Sequence, residues 1–173
     1  MKTKKLRHTN YELNEKNLLE IYRTMLLSRT VDERVWQMNR QGKAAIVASA
    51  QGHEAAQIGS VFAIEKEKDL FFPYYRSIAV MVALGVTPKE ILLSFTAKAG
   101  ERFSNARQFP IHGAFLEHRV INISNVVGTQ ISHSVGAALA AKMSAQNSVS
   151  ITYFGDGASS QGDCHEAMNF AGI

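Results

Sequence analysis

Hydrophobic residues in the first quarter of the chain recur at the spacing of one helix face. They lie between Asn14 and Gly42, at Leu18, Tyr22, Met25, Leu26, Val35 and Trp36. Asn14 can cap the start of such a helix, and Gly42 can end it. We therefore predict one long amphipathic helix over 14–42, with its apolar stripe in the protein core.

Shorter helices are predicted further along the chain. Residues 51–64 are apolar on one face, 77–84 form a short helix that stops at Gly85, and 132–145 form a helix crowded with small residues. Another helix starts at Thr87, because Thr87 is a good N-cap and Glu90 completes a capping box. Pro88 between them occupies the first helical position, where the missing N–H costs nothing.

A strand is predicted near the end of the chain. Residues 148–154 are rich in β-branched side chains, the run from Gly155 to Gly157 ends them, and a last helix follows. In contrast, 99–125 shows no clear period. Long segments of that kind in compact domains tend to be functional or mobile.

Composition narrows the class of protein. Of the 173 residues, 46% are hydrophobic and 20% charged, as in one globular domain. No apolar run is long enough to span a bilayer, and no basic face carries the groove-reading elements of a nucleic-acid binder. We therefore expect neither a membrane nor a nucleic acid as partner. The one cysteine, Cys164, excludes an internal disulfide and indicates a cytoplasmic protein.

The run Gly155-Asp156-Gly157 is the strongest local signal for chemistry. An aspartate at the carboxyl end of a strand stands where open α/β sheets bind ligands. The two glycines allow a diphosphate to approach the backbone, and the following helix offers N–H donors. A single carboxylate suits Mg²⁺, which also takes phosphate oxygens as ligands. Taken alone, the run also fits an ordinary turn.

Five motifs in register extend this signal over nearly the whole chain. They are Gln51-Gly52-His53-Glu54-Ala55, Pro73-Tyr74-Tyr75-Arg76, Arg107-Gln108-Phe109-Pro110-Ile111-His112, Gly128-Thr129-Gln130 and the segment from Gly155 to Ala171. Together they resemble the alpha subunits of thiamin-diphosphate-dependent 2-oxoacid dehydrogenases, most of all the bacterial branched-chain (2-oxoisovalerate) type. The resemblance implies the thiamin-diphosphate-binding α/β fold, a parallel sheet flanked by helices with a helical N-terminal extension.

The resemblance also implies roles for individual residues. Those that would touch thiamin diphosphate and its Mg²⁺ are Tyr75, Arg76, Asn125, Val127, Asp156, Gly157 and Ala158. Tyr75 and Arg76 would hold the diphosphate, since a guanidinium can pair two phosphate oxygens. Asp156 would bind Mg²⁺, and backbone groups of Asn125 and Val127 would face the aminopyrimidine.

A structural potassium ion is implied at Ser124, Thr129 and Gln130. Polar loop residues also commonly cap local backbone, so both interpretations stay open at this stage. His112 lies in the irregular segment and has two possible duties, contact with substrate or ordering of its loop.

The activity implied is oxidative decarboxylation of a small 2-oxoacid, with transfer of the acyl group to the lipoyl groups of an acyltransferase component. A beta subunit would supply the catalytic glutamate in a heterotetramer of two alpha and two beta chains, so no catalytic residue is assigned here. The small apolar stretch from Ile46 to Ser49 favours a substrate with a branched aliphatic side chain.

Other functions stay open. Pyruvate or acetoin dehydrogenase alpha subunits are the nearest enzymatic alternatives, and a non-catalytic module that only binds its partner is the alternative of another class. A dinucleotide-binding domain is disfavoured, because no Gly-x-Gly-x-x-Gly run follows a strand.

The chain departs from the family pattern in two ways. Ala106 and Phe109 stand where the family has glycine and methionine, which leaves the conformation of that loop open. The sequence also ends inside the predicted last helix. We therefore expect a truncated, N-terminal half of the subunit, with a basic tail over 1–13 and part of one cofactor-binding domain over 14–173.

Overall fold

The computed structural model describes residues 13–173, so all of the predicted basic tail except Leu13 lies outside the described residues. The helices of this part are α1 (Glu15–Arg40), α2 (Glu54–Phe62), α3 (Ile78–Ala83), α4 (Pro88–Phe95), α5 (Thr129–Met143), α6 (Asp156–Ser159) and α7 (Gly162–Gly172), with a short 3-10 helix at Leu116–His118. The strands are β1 (Leu70–Phe72), β2 (Gly113–Phe115), β3 (Val120–Ile123) and β4 (Ser150–Thr152).

The long first helix is confirmed, together with both of its predicted ends. The Asn14 side chain accepts a hydrogen bond from the backbone N–H of Asn17 at 2.9 Å. Gly42 has a left-handed φ of 71°, and the N–H of Lys43 donates to the carbonyl of Met38 at 2.8 Å. This is the Schellman arrangement, which satisfies the last carbonyls of a helix.

The prediction that the whole apolar stripe of α1 lies in the core is wrong for its first half. Val35 is fully buried, whereas Leu18, Tyr22 and Leu26 keep about half of their surface exposed, at 50%, 58% and 49%. A helix of 26 residues is about 39 Å long. In the first half only Ile21 and Met25 pack against the core of the part of the chain that the structure describes, and Leu18, Tyr22 and Leu26 point away from it.

The sheet is mixed, not wholly parallel. Its strand order is β2-β3-β1-β4, with β1 parallel to both β3 and β4 and β2 antiparallel to β3. The difference has a simple cause: only the 3-10 turn at Leu116–His118 separates β2 from β3, and so short a connection reverses the chain. Strands β1, β2 and β3 escaped prediction because three or four residues carry no readable period.

Two polar side chains tie the starts of the three parallel strands together. Asp69, just before β1, accepts the N–H of Val149 at 2.7 Å and that of Glu65 at 2.8 Å. Arg119, just before β3, donates to the carbonyls of Asp69 at 2.9 Å and Lys68 at 2.6 Å. The beginnings of β1, β3 and β4 are therefore held at one level.

The core is built around α3, in which all six residues are buried. A helix that is apolar on every side belongs in the interior, and α1 and α2 both pack against it. A second, smaller apolar cluster lies between α5 and α7 and consists of Ile131, Cys164 and Ala167. Cys164 therefore has a packing role.

The remaining helices agree with the predictions apart from their ends. Helix α5 begins three residues early, at Thr129, and the predicted last helix is divided into α6 and α7. None of the helices within residues 13–173 is long and apolar enough to cross a membrane.

The predicted capping box at the start of α4 is confirmed and gives a stability test. Thr87 accepts the N–H of Glu90, and the Glu90 carboxylate accepts the N–H of Thr87. We expect Thr87→Ala to lower the free energy of unfolding by about 1 kcal/mol, measured by urea denaturation of the complete subunit. Lys89→Ala, on the exposed side of the same turn, is the control. Equal losses in the two variants would contradict this assignment.

Candidate functional site

Three loops that follow the parallel strands meet at one edge of the sheet. They are 74–76 after β1, 124–130 after β3 and 155–158 after β4, and they enclose a cavity of about 200 Å³. The carboxyl ends of parallel strands lie at the same edge, which is where open α/β sheets bind ligands. The candidate site is this cavity.

The cavity brings together most of the residues singled out in the sequence. Its lining contains Tyr75, Arg76, Ser124, Val127, Gln130, Asp156, Gly157 and Ala158, with Tyr74, Val126 and Gly155 beside them. Asn125 lines a neighbouring cavity instead. Thr129 is the first residue of α5, next to Gln130.

Arg76 supplies the positive charge of the cavity. Its guanidinium carbon lies 5.1 Å from the ring centres of both Tyr74 and Tyr75, and its carbonyl accepts a hydrogen bond from the Gln57 side chain at 2.9 Å. Burial alone would lower the pKa of Arg76, but the combined interactions with the two tyrosines raise it, so the group stays charged. Gly155 leaves space for the guanidinium, because a Cβ there would lie 2.8 Å from Nη2.

Asp156 supplies the negative charge. It is the first residue of α6, follows the extended Gly155 and is exposed to solvent. Within residues 13–173 no three His, Cys, Asp or Glu side chains cluster as a metal site. A cation held here would therefore have Asp156 as its carboxylate from this part of the chain.

The turn between β3 and α5 is organised by its own polar side chains. Ser124 Oγ accepts the N–H of Val126 at 3.0 Å, and Thr129 Oγ1 donates to the carbonyl of the same residue at 2.9 Å. The Gln130 side-chain amide donates to the carbonyl of Tyr153 at 3.0 Å. That last bond joins the turn to the segment that follows β4.

A second cavity, of about 230 Å³, is mostly apolar. Its lining consists of Ile46, Ala48, Tyr75, Phe95, Phe109, Pro110, Ile111, His112 and Asn125. Tyr75 lines both cavities, so they adjoin each other. Phe95 belongs to no motif of the sequence, because nothing but hydrophobicity distinguishes it before the chain is folded.

The sequence of most of the chain fits one known protein family. Residues 22–173 match the model of the dehydrogenase E1 component.

The chain belongs to the dehydrogenase E1 component family.

Its relatives in this family agree with the resemblance found in the sequence. The 2-oxoisovalerate dehydrogenase subunit alpha of Bacillus subtilis is 44% identical over 167 residues, which cover 96% of this chain and 51% of the relative. The 3-methyl-2-oxobutanoate dehydrogenase subunit alpha of Mycobacterium tuberculosis is 34% identical, with 96% and 42% covered. The human mitochondrial 2-oxoisovalerate dehydrogenase subunit alpha is 35% identical, with 92% and 35% covered. The chain thus spans about half or less of each relative.

In this E1-family chain His112 contacts two aromatic side chains, Tyr75 and Phe109. Its ring stacks on Tyr75, with centres 6.2 Å apart and planes 15° apart, and its Nδ1 lies 2.9 Å from the carbonyl oxygen of Pro110. Nε2 is buried and makes no hydrogen bond within the part of the chain that the structure describes. Both duties considered for His112 are therefore compatible with its position.

The segment around Ala106 is an ordered loop, although no period was visible in its sequence. The buried Glu101 carboxylate accepts the backbone N–H groups of Phe103, Ser104 and Ala106 at 2.6, 3.1 and 2.8 Å. The end of the loop, at Gly113, packs directly against the backbone of Phe103. Only glycine fits there, because a Cβ would lie 2.3 Å from the carbonyl oxygen of Phe103. The loop delivers the aromatic residues that line the apolar cavity.

The departure from the family glycine at position 106 has a measurable consequence. Ala106 has a φ of 57°, in the left-handed region that favours glycine. We expect Ala106→Gly to raise the free energy of unfolding by about 0.5–1 kcal/mol, because relief of strain exceeds the added backbone entropy. Ala138→Gly, at an exposed position in the interior of α5, should instead lower it by about 1 kcal/mol. Thermal unfolding of both variants checks this, and a loss at position 106 would contradict it.

Proposed function

We propose that the protein carrying this chain is the alpha subunit of a branched-chain 2-oxoacid dehydrogenase that depends on thiamin diphosphate. It catalyses oxidative decarboxylation of a 2-oxoacid and passes the acyl group to a lipoyl group. The observation that carries the proposal is the pairing of Arg76 and Asp156 in one cavity, beside a second cavity that is apolar. The names of the relatives support the choice of substrate class.

The polar cavity suits a diphosphate with its metal ion. Arg76 can pair phosphate oxygens, and Gly155 and Gly157 leave the backbone open to them. Asp156 would hold Mg²⁺, which takes few protein ligands when phosphate oxygens are present. When bound, thiamin diphosphate supplies the carbon nucleophile and the electron sink for loss of CO₂.

Other residues of the two adjoining cavities would hold the rest of the cofactor. Tyr75 and Ala158 flank the diphosphate position, and Asn125 and Val127, which are both exposed, would offer backbone groups to the aminopyrimidine. We include a potassium ion at Ser124, Thr129 and Gln130 in the proposal. The hydroxyls of Ser124 and Thr129 hold the local backbone, and an oxygen-coordinated cation would strengthen the same turn.

The apolar cavity suits the side chain of a branched 2-oxoacid. Ile46 and Ala48 form one side and Phe109 another, so a branched aliphatic group would find mostly carbon surface there. A pocket of this kind discriminates by about 1–3 kcal/mol per methylene. Straight-chain 2-oxoacids should therefore be poorer substrates rather than excluded ones.

The proposal includes two protein partners and a location. Val126 and Val127 border the polar cavity and are 62% and 42% exposed, which suits a site completed by a beta subunit. A lipoyl-bearing acyltransferase would receive the acyl group. The cytoplasmic location rests on the single cysteine, Cys164, which is free and buried.

Removal of the Asp156 carboxylate tests the metal site. We expect Asp156→Ala to weaken Mg²⁺-dependent binding of thiamin diphosphate by roughly a hundredfold or more, because the cation loses its carboxylate. Calorimetric titration of the assembled alpha and beta subunits measures this. Asp163→Ala removes the same charge from the exposed start of α7 and should bind normally. A parent enzyme that binds no thiamin diphosphate would exclude the proposed function.

A methyl group at position 155 tests the diphosphate contact separately. Gly155→Ala places a Cβ against Arg76 Nη2 and must displace the guanidinium. We expect the affinity for thiamin diphosphate to fall roughly tenfold, as when a charge-assisted hydrogen bond is weakened. Gly162→Ala, whose Cβ meets no atom within 4 Å, is the matched control. Unchanged affinity in Gly155→Ala would contradict a diphosphate contact that depends on the present position of the Arg76 guanidinium.

A further inference from the structure

One wall of the apolar cavity comes from a segment with no regular structure of its own. Residues 44–50 connect α1 to α2 without forming a helix or strand, and Ile46 and Ala48 in its middle line the cavity. The segment ends, Ala44 and Ala50, are buried, whereas Ile46 is 49% exposed. Val47, between Ile46 and Ala48, packs against the core. The remaining contacts that set the position of the wall lie at its two ends.

Asp32 holds the second end. Its side chain is 2% exposed. One carboxylate oxygen accepts the N–H of Ala50 at 2.8 Å, and the other accepts the Ser49 hydroxyl at 2.7 Å and the Gln51 amide at 3.0 Å. No salt bridge to Asp32 occurs among residues 13–173. Within residues 13–173 all of the hydrogen bonds that Asp32 accepts come from Ser49, Ala50 and Gln51, and charge-assisted bonds of this kind are strong.

Asn39 holds the first end. Its side-chain amide donates to the carbonyls of Ala44 and Ala45 at 2.7 and 3.3 Å. Asn39 follows Asp32 by seven residues, about two helical turns, so both side chains leave α1 on one face. A rigid helix therefore fixes the wall at both ends.

We propose that Asp32 and Asn39 are positioning residues that fix the Ile46–Ala48 wall and thereby set the preference for branched over straight-chain substrates. This inference rests on the proposed function. Neither side chain lines the apolar cavity, so both act through the wall. If the wall loosens, the cavity loses its fit to a branched group, while the diphosphate contacts on the other loops are left intact.

Two isosteric variants test the inference in the assembled enzyme. Asp32→Asn places an amide N–H₂ at the oxygen to which Ser49 and Gln51 donate. Asn39→Asp removes the amide that donates to the carbonyls of Ala44 and Ala45. We expect the ratio of kcat/KM for 2-oxoisovalerate to that for 2-oxobutanoate to fall by roughly fivefold to tenfold in each variant, within the range that a methylene contributes. The change should lie in KM, with kcat changed by less than about twofold.

The control is Glu33→Gln on the exposed side of α1, which should leave the ratio unchanged. A second readout is calorimetric binding of isovalerate, which lacks the 2-oxo group and cannot be decarboxylated. It should weaken in both variants while the affinity for thiamin diphosphate stays constant.

Three results would overturn the inference. An unchanged substrate ratio with reduced thermal stability would mean that Asp32 and Asn39 only stabilise the fold. A parallel loss of affinity for thiamin diphosphate would mean that the whole site is disturbed. A parent enzyme that decarboxylates neither 2-oxoacid would overturn the proposed function together with the inference.

Discussion

The Asp69–Arg119 arrangement is the constraint on which the rest of the structure depends. These two side chains connect the starts of β1, β3 and β4, whose strands are only three or four residues long. Strands this short have few ladder hydrogen bonds to fix their register, and a slip of one residue turns every side chain to the opposite face. The buried Asp69 carboxylate and the Arg119 guanidinium fix the strand register through hydrogen bonds made just outside the strands.

The same constraint explains why the site exists at the other ends of the strands. Once the first residues of β1, β3 and β4 are aligned, the loops that follow these strands lie at the same edge of the sheet. Arg76 and Asp156 therefore face one cavity although they are far apart in sequence. Arg76 is then aimed by the rings of Tyr74 and Tyr75. The chemistry of the site is thus a consequence of strand register combined with three short loops.

Buried carboxylates recur as organisers of irregular backbone in this chain. Asp32 and Glu101 each accept hydrogen bonds from the loop beside them, and each is almost fully buried. Buried acceptors with several N–H partners are strong because their surroundings cannot compete for the bonds. Together they hold two sides of the apolar cavity, so a pocket of carbon surface is shaped by polar interactions behind its walls.

The sequence by itself determined the features that depend on near neighbours. These include the caps at Asn14 and Thr87, the helix periods and the strand-to-helix turn at Asp156, because each involves residues within a few positions of one another. The family motifs extended this to the candidate site residues. Only the tertiary structure decided the rest. The antiparallel β2, the exposure of Leu18, Tyr22 and Leu26 on α1 and the roles of Asp32 and Glu101 follow from which segments meet. Asp69 and Val149 bond across 80 positions, and no local pattern encodes such a contact, because its free energy arises only when the two segments are already folded together.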